Sequence, residues 1–220
     1  MDILKSVTSW IKKPIEIFLG FLVPEDTKIK KLLGLSVWKM RELLPKSPVN
    51  SEDIFVLFDY GHKAVRQLVK AIKYKNNRDL RKKIAILLYE DIVDISSETA
   101  LFEGSPPILV PMPMSKKEKR KKGFNQCEEL VREIKRLGGD NIEISYNTLK
   151  KVKETKRQTK LSREERLTNV ENSMKSDKDL ANKNIIVLDD VYTTGASLIE
   201  ARRALSSAGA RHIIGLFIAH

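Results

Sequence analysis

The stretch Ile185-Ile186-Val187-Leu188-Asp189-Asp190-Val191-Tyr192-Thr193-Thr194-Gly195-Ala196-Ser197 decides the fold. Ile185 to Leu188 are apolar without alternation, the pattern of a strand buried on both faces of a parallel sheet. The strand ends on two adjacent carboxylates, Asp189 and Asp190, where open α/β sheets hold ligands. A short turn, Thr193 to Ser197, then opens a helix. Leu198, Ala201, Leu205 and Ala208 recur at helical spacing, and Gly209 falls where a C-cap belongs. Such a turn aims backbone N–H groups and the positive end of the helix at one point, and the hydroxyls of Thr193, Thr194 and Ser197 add donors. A phosphate monoester fits there. The carboxylates repel phosphate but accept hydrogen bonds from two vicinal hydroxyls of a sugar. Phosphate on one side and a diol on the other describe a ribose 5-phosphate. Helix capping alone needs one such residue, not six. The other phosphate motifs are missing: no G-x-x-x-x-G-K-[ST] occurs, and no strand is followed by G-x-G-x-x-G.

Working outward, the pattern predicts helices over 62–74 and 79–93. Strand 107–112, helix 124–137, strands 142–146 and 185–189, helix 196–207 and strand 212–218 follow. That alternation predicts an α/β fold with a mostly parallel central sheet flanked by helices. At 220 residues and 41% apolar, the chain can bury one substantial core with a small N-terminal appendage. Residues 24–53 are rich in Lys, Pro and Ser and weakly periodic, and read as a remodelled linker module. The apolar run between Pro14 and Pro24 follows Lys12-Lys13 but is broken by Glu16 and is too short to span a bilayer. No transmembrane segment is therefore expected. A peripheral membrane helix stays open there, with packing against the body the preferred arrangement.

The chain has one cysteine, Cys127, which excludes a disulfide framework and suits a reducing cytoplasm. Cys127 shares an apolar helix face with Phe124, Leu130, Val131 and Ile134, as a buried structural thiol does. The formal net charge is +12, and two short segments carry most of it. Segment 116–122 holds six bases and one acid, and segment 150–166 holds eight bases and three acids. Both read as loops by composition. Lysine-rich loops usually serve solubility. The sharper reading is a polyanion surface, with Lys116, Lys117, Arg120, Lys121 and Phe124 as candidate contacts to single-stranded nucleic acid. Tyr146 and Tyr192 are further candidates for stacking on bases.

The 185–197 stretch resembles the phosphoribosyl pyrophosphate motif of type I phosphoribosyltransferases. Further elements resemble the ComF family of competence proteins. These are Val110-Pro111-Met112-Pro113-Met114-Ser115, Gly123-Phe124-Asn125-Gln126, the spaced set Thr155, Gln158, Leu161, Arg166, Asn169 and Val170, and Leu205 to Ala210. Tyr60 to Leu88 resembles the family's upstream helices, so the likeness covers about residues 55–220. It divides the chain into an N-terminal extension, 1–55, and a phosphoribosyltransferase-like domain, 56–220. The extension is expected to be small and helical, and it lacks the zinc-binding cysteines of many relatives. Lys122, Lys151 and Lys153 stand where relatives carry arginine, and Asn172-Ser173-Met174 where they carry a small pair and Phe.

The resemblance implies a protein that binds phosphoribosyl pyrophosphate with Mg²⁺. Asp189 and Asp190 would hold the ribose hydroxyls as catalytic residues. Val191, Thr193, Thr194, Gly195, Ala196 and Ser197 would hold the 5-phosphate. Pro113, Met114, Ser115 and Lys122 would meet the pyrophosphate, and Gln158 and Arg166 lie on a segment that closes over substrate in type I enzymes. It also implies cytoplasmic work in natural transformation, with single-stranded DNA and DNA-uptake proteins as partners. A salvage transferase acting on a base or amine, and a non-catalytic sensor of the sugar phosphate, are the alternatives. No protein-held metal site is expected, because His62, His212 and His220 lie outside the motifs.

Overall fold

A computed structural model describes residues 27–97, 106–154 and 169–220. In chain order the elements are α1 (Thr27–Gly34), α2 (Val37–Leu43), β1 (Ile54–Phe58), α3 (Lys63–Lys75), α4 (Arg78–Ser97) and β2 (Ile108–Pro111). Next come α5 (Lys116–Lys122), α6 (Gln126–Gly138), a 3-10 turn (Gly139–Asn141) and β3 (Glu143–Ile144). The short strands β4 (Lys150–Lys151) and β5 (Met174–Lys175) precede β6 (Asn184–Val191), α7 (Ala196–Ser206) and β7 (His212–Ala219). No helix among the described residues is long and apolar enough to cross a membrane.

Five strands form one sheet in the order β1-β7-β6-β2-β3, and every neighbouring pair is parallel. The two central partners of β6 explain its unbroken apolar run. Ile185 to Leu188 pair with Ile108 to Pro111 on one side and with Ile213 to Leu216 on the other, and all four are buried. From β2 the chain runs through α6 to β3 on one side; from β6 it runs through α7 to β7 on the other. The winding therefore reverses between β2 and β6, and a crevice opens beyond their carboxyl ends. Ligands of doubly wound sheets bind at such switch points. A separate two-stranded antiparallel ribbon pairs β4 with β5. The buried Glu200 of α7 anchors it by accepting from the Met174 amide at 2.9 Å, while Arg203 donates to the Met174 carbonyl at 2.8 Å.

Three sequence expectations need correction. Segment 116–122 is helix α5, not a loop. Lysine and arginine are good helix formers, Ser115 caps the start by accepting from the Glu118 amide, and Gly123 ends it at φ 86°. Ile54–Phe58 was not anticipated as a strand, yet it forms the sheet edge against β7, starting ahead of the 55/56 division. Residues 27–34 and 37–43 are helical, as expected of the extension, but they pack into the body rather than forming a linker. Leu32, Met40 and Leu44 are buried in the common core, and Arg41 pairs with Glu90 and Asp91 of α4. The 1–26 segment, including Pro14 to Pro24, lies outside the described residues.

Gly215 of β7 sits where a Cβ would come within 2.6 Å of Phe217 and 2.8 Å of Leu198, both buried. Gly215→Ala should cost about 1–3 kcal/mol through overpacking beneath α7. Urea unfolding checks this, and a midpoint equal to the wild type would contradict the packing described.

Candidate functional site

The eight-residue strand β6 carries Asp189 and Asp190 to the crevice. Both are held from neighbouring elements. Asp189 Oδ1 accepts from the Asp190 amide at 2.8 Å and from the Cys127 thiol of α6 at 3.4 Å. Asp190 Oδ2 accepts from Gln126 Nε2 of α6 at 2.9 Å and from Lys73 Nζ of α3 at 2.7 Å. Gln126 in turn takes a hydrogen bond on Oε1 from Lys122 Nζ, whose ammonium lies 4.4 Å from the centre of the Phe124 ring. That contact fixes the amide orientation, so Nε2 faces Asp190.

The electrostatics follow from crowding. Burial and the adjacent Asp190 push Asp189 up to about 7, against the opposing pull of Lys73. Burial works against the Lys73 charge, but Asp190 outweighs it and holds the ammonium above the ordinary lysine range. Lys122 is moved down, by burial first and by Lys73 second. Burial and the two aspartates push the Cys127 thiol far up, so it is a neutral packing and hydrogen-bonding group rather than a nucleophile.

Beyond Val191 the chain makes the turn. Gly195 takes φ 76°, and an added Cβ would lie 2.8 Å from the Tyr192 hydroxyl, so glycine is required twice over. Ala196 starts α7 and is buried, Thr193 is exposed, and Thr194 and Ser197 are half-buried. Thr194 Oγ1 is buried with no hydrogen-bond partner among the described residues. Tyr192 packs edge-on against Phe217, ring centres 5.0 Å apart, with His220 at 5.6 Å. The cavity among Asp189, Tyr192, Thr193, Gly195 and Ser197 holds about 10 Å³, room for one water.

Pro113, Met114 and Ser115 follow β2 directly beside β6, where Met112 still donates to the Leu188 carbonyl at 2.8 Å. Asn125 Nδ2 ties this turn to α6 by donating to the Met112 carbonyl at 3.0 Å. The Ser115 hydroxyl is occupied, capping α5 and donating to Glu154 at 2.9 Å. Gln158 and Arg166 lie outside the described residues. On α5, Lys116, Lys117, Arg120 and Lys121 are exposed, whereas Lys119 pairs with Glu128 at 2.7 Å. The aromatic candidates are already engaged: Phe124 by Lys122, Tyr146 by Arg132 at 5.8 Å, and Tyr192 by Phe217 and His220.

Sequence reading missed Lys73, and it named Gln126 without a role. The signal for Lys73 was present: it continues the i, i+4 row of Val65 and Val69, both buried, so it sits on the inward stripe of α3.

A crevice at the switch point of a parallel sheet, an acid pair and a Thr-Thr-Gly turn define the class. Residues 120–219 match the family described as the phosphoribosyl transferase domain. Among curated proteins the chain is 27% identical over 167 residues to Competence protein F of Haemophilus influenzae, covering 74% of this chain and 71% of that protein. It is 35% identical over 102 residues to Competence protein ComFC of Bacillus subtilis, covering 46% and 39%. It is 25% identical over 143 residues to the DNA utilization protein YhgH of Salmonella typhi, covering 65% and 61%. The chain is thus a homologue of the competence proteins F and ComFC with a phosphoribosyl transferase domain, and it spans less than two thirds of the length of several of these relatives. A hypoxanthine phosphoribosyltransferase from Staphylococcus aureus aligns over 69% of this chain and 62% of its own, at 12% identity and a TM-score of 0.36.

Asp189 is raised in the folded state, so its deprotonation opposes folding as pH climbs from the ordinary carboxylate range to about 7, and the cost is full above that. Asp189→Asn keeps the acceptor for the Asp190 amide and removes the charge. It should raise stability at pH 8 by about 1–3 kcal/mol and change it little at pH 5. Thermal unfolding at the two pH values checks this, and a loss of stability at pH 8 would contradict the electrostatics.

Proposed function

We propose that this protein binds phosphoribosyl pyrophosphate at the β6–α7 turn and acts in DNA uptake or in processing of incoming single-stranded DNA. The observation that carries the sugar-phosphate reading is that the acid pair and the Thr193–Ser197 turn meet at the sheet's switch point, with the Thr194 hydroxyl buried and unpartnered among the described residues. A phosphate at the mouth of the turn would accept from the amides and from Thr193, Thr194 and Ser197. Asp189 and Asp190 would each take one ribose hydroxyl, and their charge would stabilise the positive charge that grows on the ribose ring as pyrophosphate leaves. The turn from Pro113 to Ser115 and the half-buried Lys122 would face the pyrophosphate. Mg²⁺ suits an all-oxygen site of substrate phosphate beside these acids, and bound there it would supply positive charge against the leaving pyrophosphate. Among the described residues no three-residue cluster of His, Cys, Asp and Glu forms a protein cage for it.

The role in DNA uptake rests on the names of the relatives and on the basic helix α5. Lys116, Lys117, Arg120 and Lys121 fall in two i, i+4 rows on an exposed helix beside the crevice. A single-stranded backbone lying along that helix would bring a sugar phosphate near the site. The single buried cysteine, held as a neutral thiol, suits work in a reducing cytoplasm.

In a folded Asp189→Asn, Asp190→Asn double variant, affinity for phosphoribosyl pyrophosphate should fall on the order of a hundredfold, since two charged acceptors disappear. Isothermal titration calorimetry in Mg²⁺ buffer measures it, and unchanged affinity in a folded double variant removes the assignment.

For nucleic acid, log K against log[salt] for an oligonucleotide should slope by about −0.7 per phosphate contacted. Replacing Lys116, Lys117, Arg120 and Lys121 by Gln should flatten that slope and leave phosphoribosyl pyrophosphate affinity nearly intact. Absence of oligonucleotide binding by the wild type at low salt would rule out the DNA contact.

A further inference from the structure

The two acids are each anchored through one oxygen. Asp189 is fixed at Oδ1 by the Asp190 amide and the Cys127 thiol. Asp190 is fixed at Oδ2 by Lys73 and Gln126. These anchors use neither Asp189 Oδ2 nor Asp190 Oδ1. One acceptor per acid is what a vicinal diol needs, one for each hydroxyl. The anchors differ in kind. Those of Asp189 are one backbone amide and one weak thiol donor, both neutral. Asp190 is held by a full positive charge delivered from α3, an element separated from β6 by more than a hundred residues of chain.

We propose that Lys73 is a positioning residue for diol recognition, a role that rests on the sugar-phosphate reading of the same site. Its ammonium, 2.7 Å from Asp190 Oδ2, has two effects. It keeps two adjacent carboxylates in a buried setting together, because one internal cation offsets their repulsion. It also pins Oδ2, with Gln126 as the second point, so that rotation of the Asp190 carboxylate is blocked and Oδ1 is presented. A charge-assisted contact is the strongest such pin available to a carboxylate. Neither effect touches the phosphate turn, which binds through amides and hydroxyls. Lys73 therefore acts on selectivity for the diol rather than on anchoring of the phosphate.

This separation gives the test. The affinity of the full chain is measured calorimetrically for ribose 5-phosphate and for tetrahydrofurfuryl phosphate, which keeps the ring and the phosphate and lacks the hydroxyls. The wild type should prefer the ribose compound on the order of tenfold or more, since hydroxyls bonded to charged acceptors are lost in the second ligand. Lys73→Gln should bring the ratio close to one and leave the affinity for tetrahydrofurfuryl phosphate within about twofold. Lys73→Arg keeps the charge but offers a planar fork in place of a point charge, so its ratio should fall between the two. Removing one member of a buried pair can unfold a domain; if Lys73→Gln does not fold, Lys73→Arg decides. A folded variant with the wild-type ratio overturns the role of Lys73 while leaving the site standing. A parallel loss for both ligands also overturns it, because that marks a purely structural residue. A wild type that binds neither ligand overturns the site reading itself, and the role of Lys73 with it.

Discussion

Two like charges side by side at the end of a buried strand are the constraint around which this structure is arranged. Asp189 and Asp190 cannot both stay ionised in the crevice without compensation. Three side chains from two helices supply it: Lys73 from α3, and Gln126 and Cys127 from the first turn of α6. Each contributor depends on the fold being closed. Lys73 reaches Asp190 only because the apolar stripe of Val65, Leu68, Val69 and Ile72 seats α3 on the sheet. Gln126 and Cys127 are aimed because Asn125 caps α6, accepting from the Cys127 amide at 3.0 Å, while its own amide is tied to Met112 at the end of β2. The fold stores the cost of the pair in Asp189, which is pushed towards neutrality. That is how a site gives up stability to keep a functional arrangement.

The same constraint joins the acid pair to the basic helix α5. Lys122, the last residue of the basic helix α5, hydrogen-bonds Gln126, and Gln126 holds Asp190. The basic helix α5 is therefore linked to the acid pair through two hydrogen bonds. Phe124 is enlisted in the link, its ring facing the Lys122 ammonium. It is thereby less available as a stacking platform than its place in the sequence suggested.

Much of this was legible in the chain because the deciding pattern is local. A run of β-branched and apolar residues, an acid pair, a Thr-Thr-Gly turn and a helix stripe are consecutive, so periodicity and turn chemistry alone place β6, the turn and α7. The parallel sheet followed from alternation of elements. Ile54–Phe58 was lost because a five-residue apolar run beside a polar, proline-containing segment carries no signal of its partner, which lies at the far end of the chain in β7. Helix α5 was read as a loop because charge density was weighed above helix propensity and the Ser115 and Gly123 caps. Lys73 carries a weaker signal. Nothing about a lysine in a lysine-rich helix says which one turns inward; only the i, i+4 row from Val65 through Val69 does, and the partner it finds is more than a hundred residues away.

The central claim is that a sugar phosphate sits on the β6–α7 turn and not on the basic helix. The most direct check is a titration of ¹⁵N-labelled protein with ribose 5-phosphate, followed amide by amide. The account predicts saturable shifts that are largest at Thr193, Thr194, Gly195, Ala196 and Ser197, with smaller ones at Asp189 and Asp190. Shifts confined to Lys116–Gly123, or none at millimolar ligand, would contradict it.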